Sequence, residues 1–175
     1  MKMLGKTWKP EEMVAEVVKD RVYFEKSGGG ITLSGGEPTM QANFAALLLK
    51  SLKEKGIHTA LDTSGQCTQN VLSTLLPYVD MVLYDIKEID PDRHKEFTGV
   101  SNEKILDNLI YLCHYMKTHE TPADLWIRTP VIPEPPRTKK HKGDRPFHSI
   151  QTGQFRKPMG AMLLQQPLQQ QIQTP

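Results

Sequence analysis

Four short apolar runs, at residues 31–33, 57–61, 81–84 and 125–128, each follow a helical stripe, and the chain turns polar at or just after the end of each. Few folds satisfy that order. Pro10, Glu11 and Glu12 suit a first helical turn, and Met13, Val14, Val17, Val18 and Val22 form a stripe that predicts one helix ending near Lys26. A second helix turns Phe44, Leu47, Leu48 and Leu52 inward and stops at Gly56. A third carries Val71, Leu72, Leu75 and Leu76 before Pro77 ends it, and a fourth, roughly 101–117, buries Ile105, Leu106, Leu109, Ile110 and Cys113. Strands separated by helices must return by right-handed crossovers and pair in parallel, so the fold class is α/β, an open sheet or a barrel.

Composition narrows the function classes. The 175 residues suffice for one domain with a sizeable core. No run of about 18 apolar residues exists, and the first six residues lack the apolar region of a secretory signal, so a cytoplasmic location is expected and a membrane partner is not. The two cysteines, Cys67 and Cys113, form no CxxC. Ligand count therefore excludes a structural zinc site, a disulfide framework or a self-contained iron–sulfur cluster. The charge is divided unevenly. Residues 134–175 carry seven Lys/Arg against two Asp/Glu, eight of the eleven glutamines and six of the thirteen prolines, with no sustained period. This segment reads as a disordered tail. Arg137, Lys139, Lys140, Lys142 and Arg145 have no interleaved aromatic residues, so a solvated tail is favoured over a nucleic-acid patch.

In parallel βα architectures the loops leaving the carboxyl ends of the strands share one face, where ligand chemistry sits. That face is marked here by Ser34, Gly35, Gly36 and Glu37, then by Asp62, Thr63 and Ser64, by Asp85 with Lys87, and by Arg128. Adjacent glycines let main chain approach a ligand and leave carbonyl and N–H groups free to bind it. With Glu37 behind them they suit an ammonium group. A phosphate loop would carry Lys and Ser/Thr after the glycines, where this chain has Glu37 and Pro38. Asp62 and Asp85 fall at neighbouring strand ends and repel one another, so Lys87, a monovalent ion or a ligand cation is expected between them. His58, His94, His114 and His119 show no metal-ligand spacing and read as surface or capping residues, and Trp126 as core.

The run SGGGITLSGGEP at 27–38 resembles the second barrel strand of glycyl-radical-enzyme activating enzymes, the pyruvate formate-lyase activating group of the radical S-adenosylmethionine superfamily. GIHTALDTSG at 56–65, DMVLYDIK at 80–87, HKEFTGVSN at 94–102 and WIRTPVIP at 126–133 continue the likeness in order. The resemblance implies a partial radical-SAM (β/α)6 barrel over 1–133, with about four parallel strands and flanking helices. It further implies that Gly35, Gly36 and Glu37 hold the methionine moiety of S-adenosylmethionine. Asp62 and Thr63 would lie beside it, Asp85, Ile86 and Lys87 would contact the cofactor farther along, and Arg128 would face the same cavity. The family's partners are a glycyl-radical enzyme, from whose glycine a hydrogen is abstracted after reductive cleavage of S-adenosylmethionine, and a flavodoxin-like reductant.

The likeness has limits. The family holds a [4Fe-4S] cluster on a CxxxCxxC loop after the first strand, and this sequence starts after that loop, with Cys67 and Cys113 both elsewhere as ordinary or core thiols. No catalytic and no metal-ligating residue is therefore assigned, and the chain alone is expected to be inactive. After Pro133 the family continues Gly-x-Asn-Asp, whereas Glu134, Pro135 and Pro136 open a segment of different composition, expected from a shifted reading frame or an aberrant exon joint. The rival readings are a non-catalytic fragment or adaptor keeping nucleotide or partner contacts, and a sugar- or phosphate-binding βα enzyme, the latter disfavoured for want of a phosphate loop.

Overall fold

The computed structural model describes residues 6–129 and the strand 154–156. In chain order the elements are α1 (Pro10–Val18), α2 (Arg21–Ser27), β1 (Gly30–Leu33), α3 (Ala42–Glu54), β2 (His58–Thr63), α4 (Gln69–Leu75), β3 (Met81–Asp85), α5 (Pro91–Thr98), α6 (Glu103–Thr118), β4 (Asp124–Arg128) and β5 (Gln154–Arg156). Short 3-10 turns precede α3 at Pro38–Gln41 and follow α4 at Leu76–Tyr78. The sheet order is β1-β2-β3-β4-β5, with β1 to β4 parallel, as the α/β reading requires, and β5 antiparallel to β4. Of the expected tail, only Gln154–Arg156 falls among the described residues, where its backbone pairs with β4. The basic residues 137–145 and the stretch 130–133 lie outside them.

Sequential parallel neighbours with right-handed crossovers place the helices on one face of the sheet. Between them sits the main core: Leu33, Leu61, Val82, Tyr84, Leu125 and Ile127 from the strands pack on Leu49, Leu72, Leu75, Leu109 and Leu112 from α3, α4 and α6. A smaller cluster joins α1 to α3 through Val14, Leu48, Leu52 and Ile57. Because strand side chains alternate, Thr32, Ala60, Asp62, Met81, Leu83, Asp85, Trp126 and Arg128 belong to the opposite face. Trp126 is therefore not core, as the sequence suggested; it lies on the side away from the helices and is 39% exposed.

The helical stripes shift in detail. The single helix expected to Lys26 is broken after Val18, and α2 restarts out of phase, so that Phe24 packs on the small cluster while Val22 is exposed. In α3 the buried stripe is Ala45, Leu48, Leu49 and Leu52, an i, i+3, i+4, i+7 set that leaves Leu47 outside. In α6 it is Ile105, Asn108, Leu109, Leu112 and Met116, which leaves Ile110 exposed. His94, expected as a surface or capping residue, is buried; its Nδ1–H donates to the Val100 carbonyl at 2.9 Å and ties down the chain leaving α5, in the manner of a cap. Among the described residues no helix is long and apolar enough to cross a membrane.

Candidate functional site

The carboxyl end of the sheet is built from two connected groups. The first joins the loops after β1 and β2. Gly35 and Gly36 have φ values of 82° and 55°, a conformation glycine adopts without strain, and nothing stands within 4 Å of where a Cβ would point, so their main chain faces open space. Glu37 follows with its carboxylate turned toward β2. Its Oε1 accepts from Thr63 Oγ1 at 2.7 Å, Thr39 Oγ1 at 2.9 Å and Thr39 N at 3.3 Å, and its Oε2 accepts from Ser64 Oγ at 2.7 Å and Ser64 N at 2.9 Å. Burial alone would raise its pKa, but the hydrogen bonds from Thr63, Ser64 and Thr39 outweigh it and hold the carboxyl below its ordinary value. Glu37 is thus a clamp between two loops, with five donors on four lone-pair sites.

The second group spans β2, β3 and β4. Arg128, at the end of β4, donates through Nη2 to Asp62 Oδ1 and through Nε to Asp85 Oδ1 at 2.8 Å. Register explains the meeting, since Asp85 pairs directly with Arg128 across β3 and β4, and Asp62, the last residue but one of β2, lies on the same face. The cation between the two acids is therefore Arg128; Lys87, expected there, instead donates to the outer Oδ2 of Asp85 at 2.7 Å. Burial would lower the Arg128 pKa, yet its hydrogen bonds and charge pairing with Asp85 and Asp62 raise it. The cluster is half open, with Arg128 36%, Asp62 25% and Asp85 22% exposed.

Of the sequence candidates, Gly35, Gly36, Glu37, Asp62, Thr63, Asp85, Lys87 and Arg128 thus line one end of the sheet. Ile86 follows β3 there too, but its side chain is buried in the main core and its N–H donates to the Arg128 carbonyl at 2.9 Å. Ser64, which the sequence marked only as part of the polar strand-end face, supplies two of the five hydrogen bonds to Glu37; Thr39, which supplies two more, was not singled out, being a short hydroxyl residue beside a glycine turn, a pattern that turns produce everywhere.

The donor set suits a cationic nucleotide such as S-adenosylmethionine: exposed glycine main chain beside two carboxylates on an open face. It does not suit a [4Fe-4S] cluster held by three thiolates of one loop. Cys67 follows β2 and Cys113 lies on α6; both are half-buried against the core, and burial pushes both thiols up, away from the thiolate that iron needs. Among the described residues no group of three or more His, Cys, Asp or Glu could hold a metal.

Comparison with known proteins gives the family. The family model of the radical SAM superfamily matches residues 3–141. A (2S)-3-sulfopropanediol dehydratase activating enzyme of Klebsiella oxytoca is 42% identical over 133 residues, which are 76% of this chain and 40% of that protein. A choline trimethylamine-lyase activating enzyme of Oleidesulfovibrio alaskensis is 44% identical over 121 residues, 69% of this chain and 37% of that one. The pyruvate formate-lyase-activating enzyme of Staphylococcus aureus is 40% identical over 129 residues, 70% of this chain and 49% of its own length. A solved domain of a pyruvate-formate lyase-activating enzyme from Bacteroides vulgatus aligns over 59% of this chain and 60% of that chain, with TM-score 0.49 and 31% identity. The chain spans less than half the length of the curated relatives named here. It belongs to the radical SAM superfamily, among relatives that are glycyl-radical-enzyme activating enzymes.

Proposed function

We propose that this chain is the central part of a glycyl-radical-enzyme activating protein and that it retains a site for S-adenosylmethionine but does not turn over alone. What supports the site is the convergence of Gly35, Gly36, Asp62, Asp85 and Arg128 at the carboxyl ends of four consecutive parallel strands. In this reading the Gly35 and Gly36 main chain receives the methionine end. Asp62 and Asp85 attract the positive sulfonium and ammonium groups, and Arg128 with Lys87 balances the ligand's carboxylate. When bound, S-adenosylmethionine supplies the adenosyl group of the family reaction; the chain's part is to orient it and to keep it on one face of the sheet. A glycyl-radical enzyme as protein substrate and a flavodoxin-like reductant belong to the complete activating protein in the same reading.

A titration with S-adenosylmethionine tests this. Binding at millimolar concentration or tighter, lost in Gly36→Val and in Asp85→Ala, is the expected result; no binding by the unmodified chain overturns it. The inactivity has its own test. Formation of 5′-deoxyadenosine by the pure chain after iron–sulfur reconstitution would show turnover and refute that half of the proposal. The second reading, a non-catalytic fragment or adaptor, is favoured by one observation: Arg128 bridges both acids, so their charges are paired within the chain.

A further inference from the structure

We infer that Asn108, on α6, is a positioning residue for the candidate site, acting from behind the sheet through the turn that follows β2. It is the one polar member of the buried stripe of α6 and is 3% exposed, so its amide must be hydrogen-bonded to be tolerated. Its Nδ2 uses both protons on that turn, donating to the Gly65 carbonyl at 2.8 Å and to the Cys67 carbonyl at 2.9 Å. The same turn is held from two other sides. Gly65 has φ 70°, and a Cβ there would stand 1.7 Å from Tyr84 Oη, so the Tyr84 ring presses against the Gly65 main chain. Tyr84 Oη in turn donates to the carbonyl of Ile105, one turn before Asn108 on α6. The Gly65 N–H donates to Thr63 Oγ1 at 3.0 Å, and that hydroxyl donates its own proton to Glu37.

A continuous hydrogen-bonded path therefore runs from the core of α6 through Gly65 and Thr63 to the Glu37 clamp. Ser64, which gives Glu37 both its N–H and its hydroxyl, lies between the two residues that this path fixes. Releasing the turn releases Ser64, then Glu37, and then the Gly35–Gly36 main chain relative to Asp62. Only a short primary amide fits the position. Leucine offers no donor, and an ionised aspartate would set negative oxygen against two carbonyls. The effect on cofactor affinity rests on the reading of the site given above; the effect on the turn does not.

The test is residue-resolved amide hydrogen exchange on the full chain carrying Asn108→Asp, read as protection factors. At pH 7 the Ser64, Gly65 and Cys67 amides should lose at least tenfold protection while Thr59 and Leu83 keep theirs. At pH 5, where protonation gives the buried aspartic acid back one donor, protection should recover in Asn108→Asp but not in Asn108→Leu. Unchanged protection in the turn, or a loss spread evenly over the sheet, overturns the inference. If Asn108→Asp does not fold at pH 7, Asn108→Ser, which keeps one donor and does not titrate, is read by the loss of protection in the turn at pH 7 alone. In parallel, S-adenosylmethionine should bind Asn108→Asp at least tenfold more weakly at pH 7. If the unmodified chain does not bind it, the cofactor reading fails while the exchange result still decides the role of Asn108.

Discussion

The two ends of this sheet treat their acids differently. At the amino end, Asp80, just before β3, is bonded at both oxygens: Oδ2 accepts from Thr59 N at 2.9 Å and Thr59 Oγ1 at 3.1 Å, and Oδ1 from Lys53 Nζ at 2.9 Å. The carboxylate welds β2, β3 and α3 together. At the carboxyl end, Asp62 and Asp85 share one guanidinium, and their partners are side-chain cations rather than main chain. Main-chain partners are fixed by the fold, whereas side-chain cations on long stems can swing to a ligand at little cost. The amino-end acid is therefore tied partly by the fold itself, the carboxyl-end acids by side-chain cations alone. Glu37 is the exception: it sits at the carboxyl end yet is bonded like Asp80.

The largest effect expected from this contrast is on stability. Asp80→Ala leaves the Thr59 N–H without its acceptor, although the Thr59 hydroxyl keeps the Tyr78 carbonyl at 2.7 Å, and an orphaned buried N–H costs roughly 1–3 kcal/mol. A loss of about 2 kcal/mol in urea unfolding should follow, against about 1 kcal/mol or less for Arg128→Ala, whose pairs are partly solvated. Equal losses would break the comparison.

Acid titration sharpens it. Burial would raise the Asp80 and Glu37 pKa values, but the hydrogen bonds from Lys53 and Thr59 to the first, and from Thr63, Ser64 and Thr39 to the second, lower both below their ordinary values. Each carboxylate's contribution is then fully present above the unfolded value, near 4, and is lost as pH falls through the depressed folded value. Unfolding free energy should decline below about pH 5, and Asp80→Asn should flatten that decline. An unaltered acid limb in Asp80→Asn would refute the linkage.

Next in size is the salt response of the carboxyl end. With Arg128 removed, Asp62 and Asp85 face each other across neighbouring strands, and the repulsion is screened within about 10 Å at 0.1 M salt. The stability difference between Arg128→Ala and the unmodified chain should therefore shrink on going to 1 M sodium chloride, while the Asp80→Ala difference should shrink less, because its bonds from Thr59 N and Thr59 Oγ1 are uncharged and only the Lys53 pair is screened. Parallel salt responses would erase the distinction between the two ends.

The contrast also explains what could be read from the sequence. The parallel order was legible because apolar runs and helical stripes alternate, and the strand-end face because Gly35, Glu37, Asp62, Asp85 and Arg128 each fall just after an apolar run. Which cation separates the acids was not legible. Lys87 is two residues from Asp85, whereas Arg128 meets Asp85 only through the β3–β4 register, 43 positions away. Asn108 was hidden for the opposite reason: it occupies an apolar stripe, and its two carbonyl partners belong to a turn more than 40 positions earlier. Contacts of that kind carry no local pattern. Leu47 and Ile110 were misplaced because apolar residues beside a stripe look like members of it until the facing strand fixes the phase.

The smallest single effect should be that of Lys87→Ala. The ammonium pairs only with the outer oxygen of Asp85, and its side chain is 49% exposed, so water replaces it readily. A change of about 0.5 kcal/mol or less at 0.15 M salt is expected, because Arg128 still neutralises the inner oxygen. The informative measurement is the double-mutant cycle. With Arg128→Ala already in place, Lys87 is the one remaining cation bonded to Asp85 among the contacts described here, and removing it should cost more than it does alone. A coupling free energy indistinguishable from zero would mean that the two cations do not share Asp85 in solution, and the carboxyl-end cluster would then be two independent surface pairs rather than one unit able to reorganise around a ligand.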